Sequence, residues 1–199
     1  MCIRDRPYSI QSLFYNIKTE NLCDVDITIP HIKKLIDYSK ILGIKILVLG
    51  SPNLRKKFVG WEDKVSKFFK DIDKLLDGND IKVLIEPNAK VYGGEYFFTL
   101  SEIVEFIKKN DLINIRTMVD THNSILENGN PNIEFINYFD YIKHIHVSEP
   151  KLKIISDNDF HNDFAKTLKK NNYKGVVTYE VLKCDEILEN LKTFAKIYR

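Results

Sequence analysis

The chain lacks any basic stripe. Its thirty Lys and Arg are interspersed with twenty-eight Asp and Glu, leaving a formal charge of +2. Without such a patch there is no electrostatic footprint for a polynucleotide, so no nucleic-acid partner is expected. Cysteine is scarce: Cys2, Cys23 and Cys184 are an odd number without CxxC or CxxH spacing. That argues against a disulfide framework and fits a reducing, cytoplasmic compartment. No apolar run approaches the roughly 18 residues of a membrane span, so no membrane partner is expected. Met1-Cys2-Ile3-Arg4-Asp5-Arg6 is charged and has no apolar core of a secretory signal. A Gly-rich phosphate fingerprint after a first strand is also missing, which counts against a dinucleotide-binding open sheet.

What remains is ordinary soluble composition, 44% hydrophobic and 29% charged, in a length that supports one domain with a buried core. Residues 1–7 match nothing that follows and are expected to be a non-native or unstructured leader; 8–199 are expected to form a single domain. Within it, strand and helix patterns alternate. Ser9 to Tyr15 reads as a short strand. Pro30 suits a helix start, Ile32, Leu35, Ile36 and Leu42 mark one face, and Gly43 supplies a stop. Ile44 to Leu49 is nearly unbroken in apolar residues, as buried parallel strands are. A helix from Trp61 to Leu76 turns Val65, Phe68, Phe69, Ile72 and Leu75 inward, and Gly78 ends it. Thr99-Leu100-Ser101-Glu102 has the spacing of a capping box. Further helices are expected near Ile133 to Phe139, from Asp159 to Asn171 and from Asp185 to Ile197. Six strands and six helices in alternation mean an α/β protein with parallel strands and right-handed crossovers. A closed barrel needs eight such units, so the expectation is an open sheet or a barrel lacking its first two units.

Four of the strands end on residues that bind metals. Val83-Leu84-Ile85-Glu86, Thr117-Met118-Val119-Asp120, Ile142-Lys143-His144-Ile145-His146 and Val176-Val177-Thr178-Tyr179-Glu180 are spaced to leave room for one helix and its loops between each pair. In a parallel α/β barrel the C-terminal strand ends converge on one face. Three carboxylates and an imidazole there describe a site for one divalent metal, oxygen-rich enough to favour Mn²⁺ or Mg²⁺ while admitting Zn²⁺ or Co²⁺. Such an ion can hold two vicinal oxygens of a hydroxy-carbonyl compound and stabilise an enediolate. Carboxylates on either side can then move a proton, and Glu86 and Glu180 come from strands far enough apart to do so. Against this stands the plain alternative that an acid at a strand end caps a helix or faces solvent. His144 shares a strand face with His146 and is read as a packed interior residue.

The segments Leu84-Ile85-Glu86-Pro87-Asn88, Val119-Asp120-Thr121-His122-Asn123, His144-Ile145-His146-Val147-Ser148-Glu149-Pro150 and Tyr173-Lys174-Gly175-Val176-Val177-Thr178-Tyr179-Glu180 resemble the xylose-isomerase-like TIM-barrel superfamily, in its sugar phosphate isomerase/epimerase branch. The resemblance runs from about Ser9 to the C-terminus. It implies a (β/α)8 TIM barrel truncated at its N-terminus to about six βα units. It also implies that Glu86, Asp120, His146 and Glu180 bind one metal, that Glu86 and Glu180 exchange the proton, and that the partner is a small sugar or sugar phosphate. Substrate contacts are expected from Asn88, Arg55, His122, Glu149 and His161. Two departures bear on sugar specificity. Asn123 stands where related epimerases place a substrate-binding histidine, and lysines at 151 and 153 stand where an arginine is expected. The competing readings are an apurinic-site endonuclease-like phosphodiesterase, which needs more histidines than the five present, and an inactive metal-binding fragment. Exposed strand edges would favour association, leaving a homo-oligomer open.

Overall fold

The computed structural model describes residues 7–156, 158–183 and 185–199; the leader through Arg6, together with Cys2 and Cys184, lies outside the described residues. Among the described residues there are six strands: β1 (Ser9–Ile10), β2 (Ile46–Leu49), β3 (Lys82–Ile85), β4 (Ile115–Asp120), β5 (Ile142–Val147) and β6 (Val176–Tyr179). They follow chain order in one sheet, and β1–β2, β2–β3, β3–β4 and β5–β6 each pair in parallel. Between and after them come α1 (Val25–Leu42), α2 (Trp61–Leu75), α3 (Leu100–Lys109), α4 (Thr121–Leu126), α5 (Pro131–Asn137), α6 (Asp159–Lys170) and α7 (Ile187–Tyr198). This is the α/β order of a TIM barrel. No helix among the described residues is long and apolar enough to cross a membrane.

The chain forms two compact units, one ending at Thr117 and the other beginning at Met118, inside β4. In the first unit every residue of β2 is buried, as its unbroken apolar run requires. Phe68 and Phe69 of α2 are fully buried. Phe69 meets Phe97 and Phe106 edge-on, a geometry that aromatic rings favour. The capping signal holds: Thr99 Oγ1 accepts the Glu102 amide at 3.3 Å, and Glu102 Oε2 accepts the Phe98 amide at 2.7 Å. Asp73 fixes the start of β4, its Oδ1 taking the amides of Asn114 at 2.6 Å and Ile113 at 3.1 Å. In the second unit Phe135 is the centre of the core, edge-on to Phe139, Phe164 and Tyr173.

Several expected elements differ. β1 stops at Ile10 because Ser12 adopts φ 55° and its carbonyl accepts the Tyr15 amide, so Leu13 and Phe14 are buried in a turn. α1 begins at Val25, and Pro30 lies inside it. The proline removes one amide donor, yet the helix continues because Thr28, Ile32, Ile36 and Ser39 form its buried face. Leu42 is exposed, while Gly43 does stop the helix in the left-handed region. At the end of α2 the inward residue is Leu76, which caps the helix and is fully buried, rather than Leu75. The short helix α4 was not signalled by the sequence pattern at all.

Candidate metal centre

Glu86 directly follows β3, and its amide continues the ladder by donating to Leu49 O at 3.1 Å. Asn88 Nδ2 donates to Glu86 Oε2 at 3.2 Å. A Cβ at Gly50, on the neighbouring strand end, would run into Oε2 of Glu86, so a larger residue there would push that carboxylate aside. Beneath this point lies Arg55, with no exposed surface. Its guanidinium donates to three carbonyls: Leu49 O at 2.8 Å, Glu86 O at 2.9 Å and Phe97 O at 3.3 Å. Burial lowers its pKa to about 10, opposed by the charge of Glu86. Arg55, expected among the substrate contacts, is thus buried with its guanidinium on backbone carbonyls. A fully buried guanidinium on the carbonyls of Leu49, Glu86 and Phe97 clamps the backbone at the ends of β2 and β3 and in the loop beyond.

In the second unit three donors gather. Asp120 is the last residue of β4, His146 the last but one of β5, and Glu180 the first after β6, where its amide donates to Val147 O at 2.9 Å. Each offers one ligand atom, and these atoms lie within 4.8 Å of one another. His146 Nδ1 is 3.6 Å from Glu180 Oε2. Asp120 and His146 are buried, while Glu180 keeps partial exposure. Asp120 also caps α4, since its Oδ1 accepts the Asn123 amide at 2.8 Å; the helix-capping alternative is thus true of this acid alongside its place in the donor group. Ser148 Oγ donates to the same Oδ1 at 3.0 Å. Thr121 Oγ1 ties that serine down, donating to Ser148 O at 2.8 Å and accepting the Ser148 amide at 2.9 Å.

Glu86 at the end of β3 in the first unit, and Asp120, His146 and Glu180 in the second, are the residues of a possible metal-binding group. Three carboxylates and one imidazole, with the aspartate and histidine buried and hydrogen-bonded groups around them, suit a hard or borderline divalent cation. The donor set does not fix which one.

The other expected residues are distributed as follows. His122 sits in the first turn of α4, its pKa lowered by burial while the charges of Glu149 and Glu180 pull the other way. Glu149 follows β5, and its Oε1 accepts from Nε2 of His161 at 2.9 Å. His161 is fully buried in the first turn of α6, with its other nitrogen on Tyr198. His144 is interior, as its strand position implied. Thr178 Oγ1 meets its Nε2 at 3.0 Å, and burial, reinforced by the His146 charge, lowers its pKa to about 4. Sequence reasoning missed Ser148, Thr121 and Tyr198. Ser148 could have been found, because on an extended strand it lies on the same side as His146. Tyr198 carried no local signal.

No curated protein matches this chain in sequence. Solved structures do match in fold. A 3-keto-D-glucoside 4-epimerase from E. coli superposes with a TM-score of 0.76 at 18% identity, over 86% of this chain and 70% of its own. An AP endonuclease of family 2 from Brucella melitensis gives 0.73 at 18% identity, over 84% and 66%. A sugar phosphate isomerase/epimerase from Parabacteroides distasonis gives 0.71 at 16% identity, over 96% and 71%. The chain thus spans about two-thirds of the length of these structures, and at such identities they speak for the fold alone. The family model described as xylose isomerase-like TIM barrel matches residues 9–196. With that match over nearly its whole length, the chain belongs to the xylose isomerase-like TIM barrel family.

Proposed function

We propose that this protein is a metal-dependent isomerase or epimerase of sugars or sugar phosphates. The observation that carries the reading is the donor group of Glu86, Asp120, His146 and Glu180, each set at the end of a different parallel strand. The epimerase names among the structures of like fold support the substrate class. Mn²⁺ or Mg²⁺ is the favoured ion, with Zn²⁺ or Co²⁺ accepted by the same ligands. When bound, the ion supplies Lewis acidity toward the carbonyl and adjacent hydroxyl oxygens of a substrate.

The chain's own residues then have separate tasks. One of Glu86 and Glu180 takes the proton from the carbon beside the carbonyl, and the other returns it. Asn88 holds Oε2 of Glu86 by its hydrogen bond, which keeps that carboxylate from rotating freely. Ser148 and the amide of Asn123 hold Asp120. His122, kept toward its neutral form by burial, can both donate to and accept from sugar hydroxyls. Glu149 accepts from another hydroxyl. The scarcity of cysteine agrees with action in the cytoplasm.

The test is metal loading followed by proton exchange. Titration with MnCl₂ should show one saturable site that raises the unfolding temperature. The loaded protein, incubated in heavy water with D-fructose, D-allulose and D-tagatose, should place deuterium on a carbon next to the carbonyl of at least one. A bound metal without any exchange on these or their phosphates would remove the isomerase reading. Cleavage of an abasic DNA duplex instead would establish the phosphodiesterase that the Brucella structure's name suggests.

A further inference from the structure

We infer that His161 is a positioning residue, which together with Tyr198 fixes the carboxylate of Glu149 to receive a substrate hydroxyl. The inference deepens the sugar-binding reading above and rests on it. It starts from three residues far apart in sequence. Tyr198 closes α7, His161 lies in the first turn of α6, and Glu149 follows the end of β5. The Tyr198 hydroxyl is 2.8 Å from His161 Nδ1, and His161 Nε2 is 2.9 Å from Glu149 Oε1. His161 has no exposed surface, whereas the Glu149 side chain keeps 23% of its exposure. The middle of the chain of hydrogen bonds is therefore sealed in the protein, and its Glu149 end stays partly exposed.

The donors and acceptors allow one assignment for a neutral ring. An ionised carboxylate can only accept, so His161 Nε2 carries the proton and donates to Glu149. Nδ1 is then an acceptor, and the Tyr198 hydroxyl donates to it. Burial, reinforced by the negative charge of Glu149, pushes the Tyr198 phenol well above its ordinary pKa, so it retains the proton that it must give. The ring is also held by edge contacts with Phe160 and Tyr198. His161 has no exposed surface and both of its nitrogens are engaged, so it acts through Glu149.

Glu149 is where the order is delivered. Among the described residues its Oε1 takes the His161 bond, and Oε2 takes no hydrogen bond from the protein. Its charge and that of Glu180 are both felt by His122. Glu149 thus shares a neighbourhood with Glu180, one member of the donor group, and with the ring of His122. A carboxylate pinned through one oxygen and partly exposed is pre-organised to accept from an alcohol through the other. Fixing it beforehand removes the ordering cost that binding would otherwise carry. The ligand class this implies is a polyol or hydroxy-carbonyl compound.

A pair of near-isosteric variants separates positioning from folding. Glutamine at 161 can put its amide nitrogen where Nε2 stands and keep the bond to Glu149. Asparagine reaches only the Nδ1 position and keeps the bond to Tyr198. D-fructose binding to the Mn²⁺-loaded protein should stay within threefold of wild type in His161→Gln and weaken about tenfold in His161→Asn. The Mn²⁺ affinity should be unchanged in both. Independently of any sugar, ¹⁵N-histidine NMR of wild type should show His161 protonated at Nε2, and Tyr198→Phe should move proton population toward Nδ1. Equal fructose affinity in the Gln and Asn variants, or a wild-type ring protonated at Nδ1, would overturn the positioning role. Wild type that binds Mn²⁺ but no D-fructose or other ketose would instead remove the sugar reading itself, with the NMR result still reporting the relay.

Discussion

Ser148 Oγ lies 3.0 Å from Asp120 Oδ1, and that carboxylate oxygen also receives the Asn123 amide at 2.8 Å. Two donors on one oxygen, one from the segment after β5 and one from the start of α4, set the carboxylate's rotation. Ser148 is itself locked by Thr121 on both sides of its peptide. Removing the serine hydroxyl should therefore loosen a ligand without touching it. Ser148→Ala is expected to weaken Mn²⁺ binding roughly tenfold, within the range known for groups that orient metal ligands. Isothermal titration reads this directly. Unchanged affinity would mean that Asp120 keeps its orientation without the serine.

The clamp at Arg55 carries a different expectation. One guanidinium reaches carbonyls of Leu49, Glu86 and Phe97, drawing together the ends of β2 and β3 and the loop beyond. A lysine presents a single ammonium and cannot span three acceptors in fixed directions. Arg55→Lys should lose about 3 kcal/mol of stability, the scale on which buried charge networks fail when one partner is changed. Urea unfolding of the variant measures it. A loss below about 0.5 kcal/mol, the scatter of neutral surface changes, would show that the buried clamp holds nothing essential.

Arg55 also shows where the sequence could be read and where it could not. The four donor residues stand out because each closes a run of apolar residues, and strand periodicity places a terminal side chain without knowledge of the rest of the fold. His144 was readable for the same reason: two positions from His146 puts it on the same face, in the interior. Arg55 was not, because a loop arginine after a strand looks the same whether it points to solvent or turns inward onto carbonyls. Its acceptors come together only in the folded chain. The turn at Ser12 is of this kind too, since Leu13, Phe14 and Tyr15 continue an apolar run that a positive φ interrupts. The relay ending at Tyr198 depends on α6 and α7 packing together, which no spacing of residues announces. Pro30 misled in the opposite direction: its preference for a first turn was overridden by the buried face of α1.

Catalysis and folding should separate at Glu180 and Phe68. Glu180 is partly exposed beyond the end of β6, so Glu180→Gln changes its charge and basicity with little change in volume. Stability is expected to move by less than about 0.5 kcal/mol, as for other substitutions away from the core. Deuterium exchange into substrate should fall by at least about 100-fold, the contribution of a positioned base. Phe68 is fully buried and packs edge-on to Phe69, so Phe68→Ala should cost about 3–5 kcal/mol. Chemical denaturation beside the exchange assay tests both. Equal damage to folding from the two substitutions would count against a chemical role for Glu180.

Cys23 should be a slow thiol whose reactivity climbs late with pH. Burial raises its pKa to about 11, with the positive charge of Lys64 opposing only part of the effect. The thiolate is the nucleophile, so alkylation follows its population. At pH 8 a thiol of this acidity has roughly a hundredth or less of the thiolate of an unperturbed cysteine. In a protein carrying Cys2→Ser and Cys184→Ser, iodoacetamide labelling of Cys23 should therefore run about a hundredfold slower than labelling of a free thiol. The sign is fixed by deprotonation: the rate should rise about tenfold per pH unit until near 11 and then level off. Unfolding in urea should restore the ordinary rate at pH 8 by returning the sulfur to water. A rate that levels off below about pH 9.5 in the folded protein would show that the thiol is not desolvated as its packing requires.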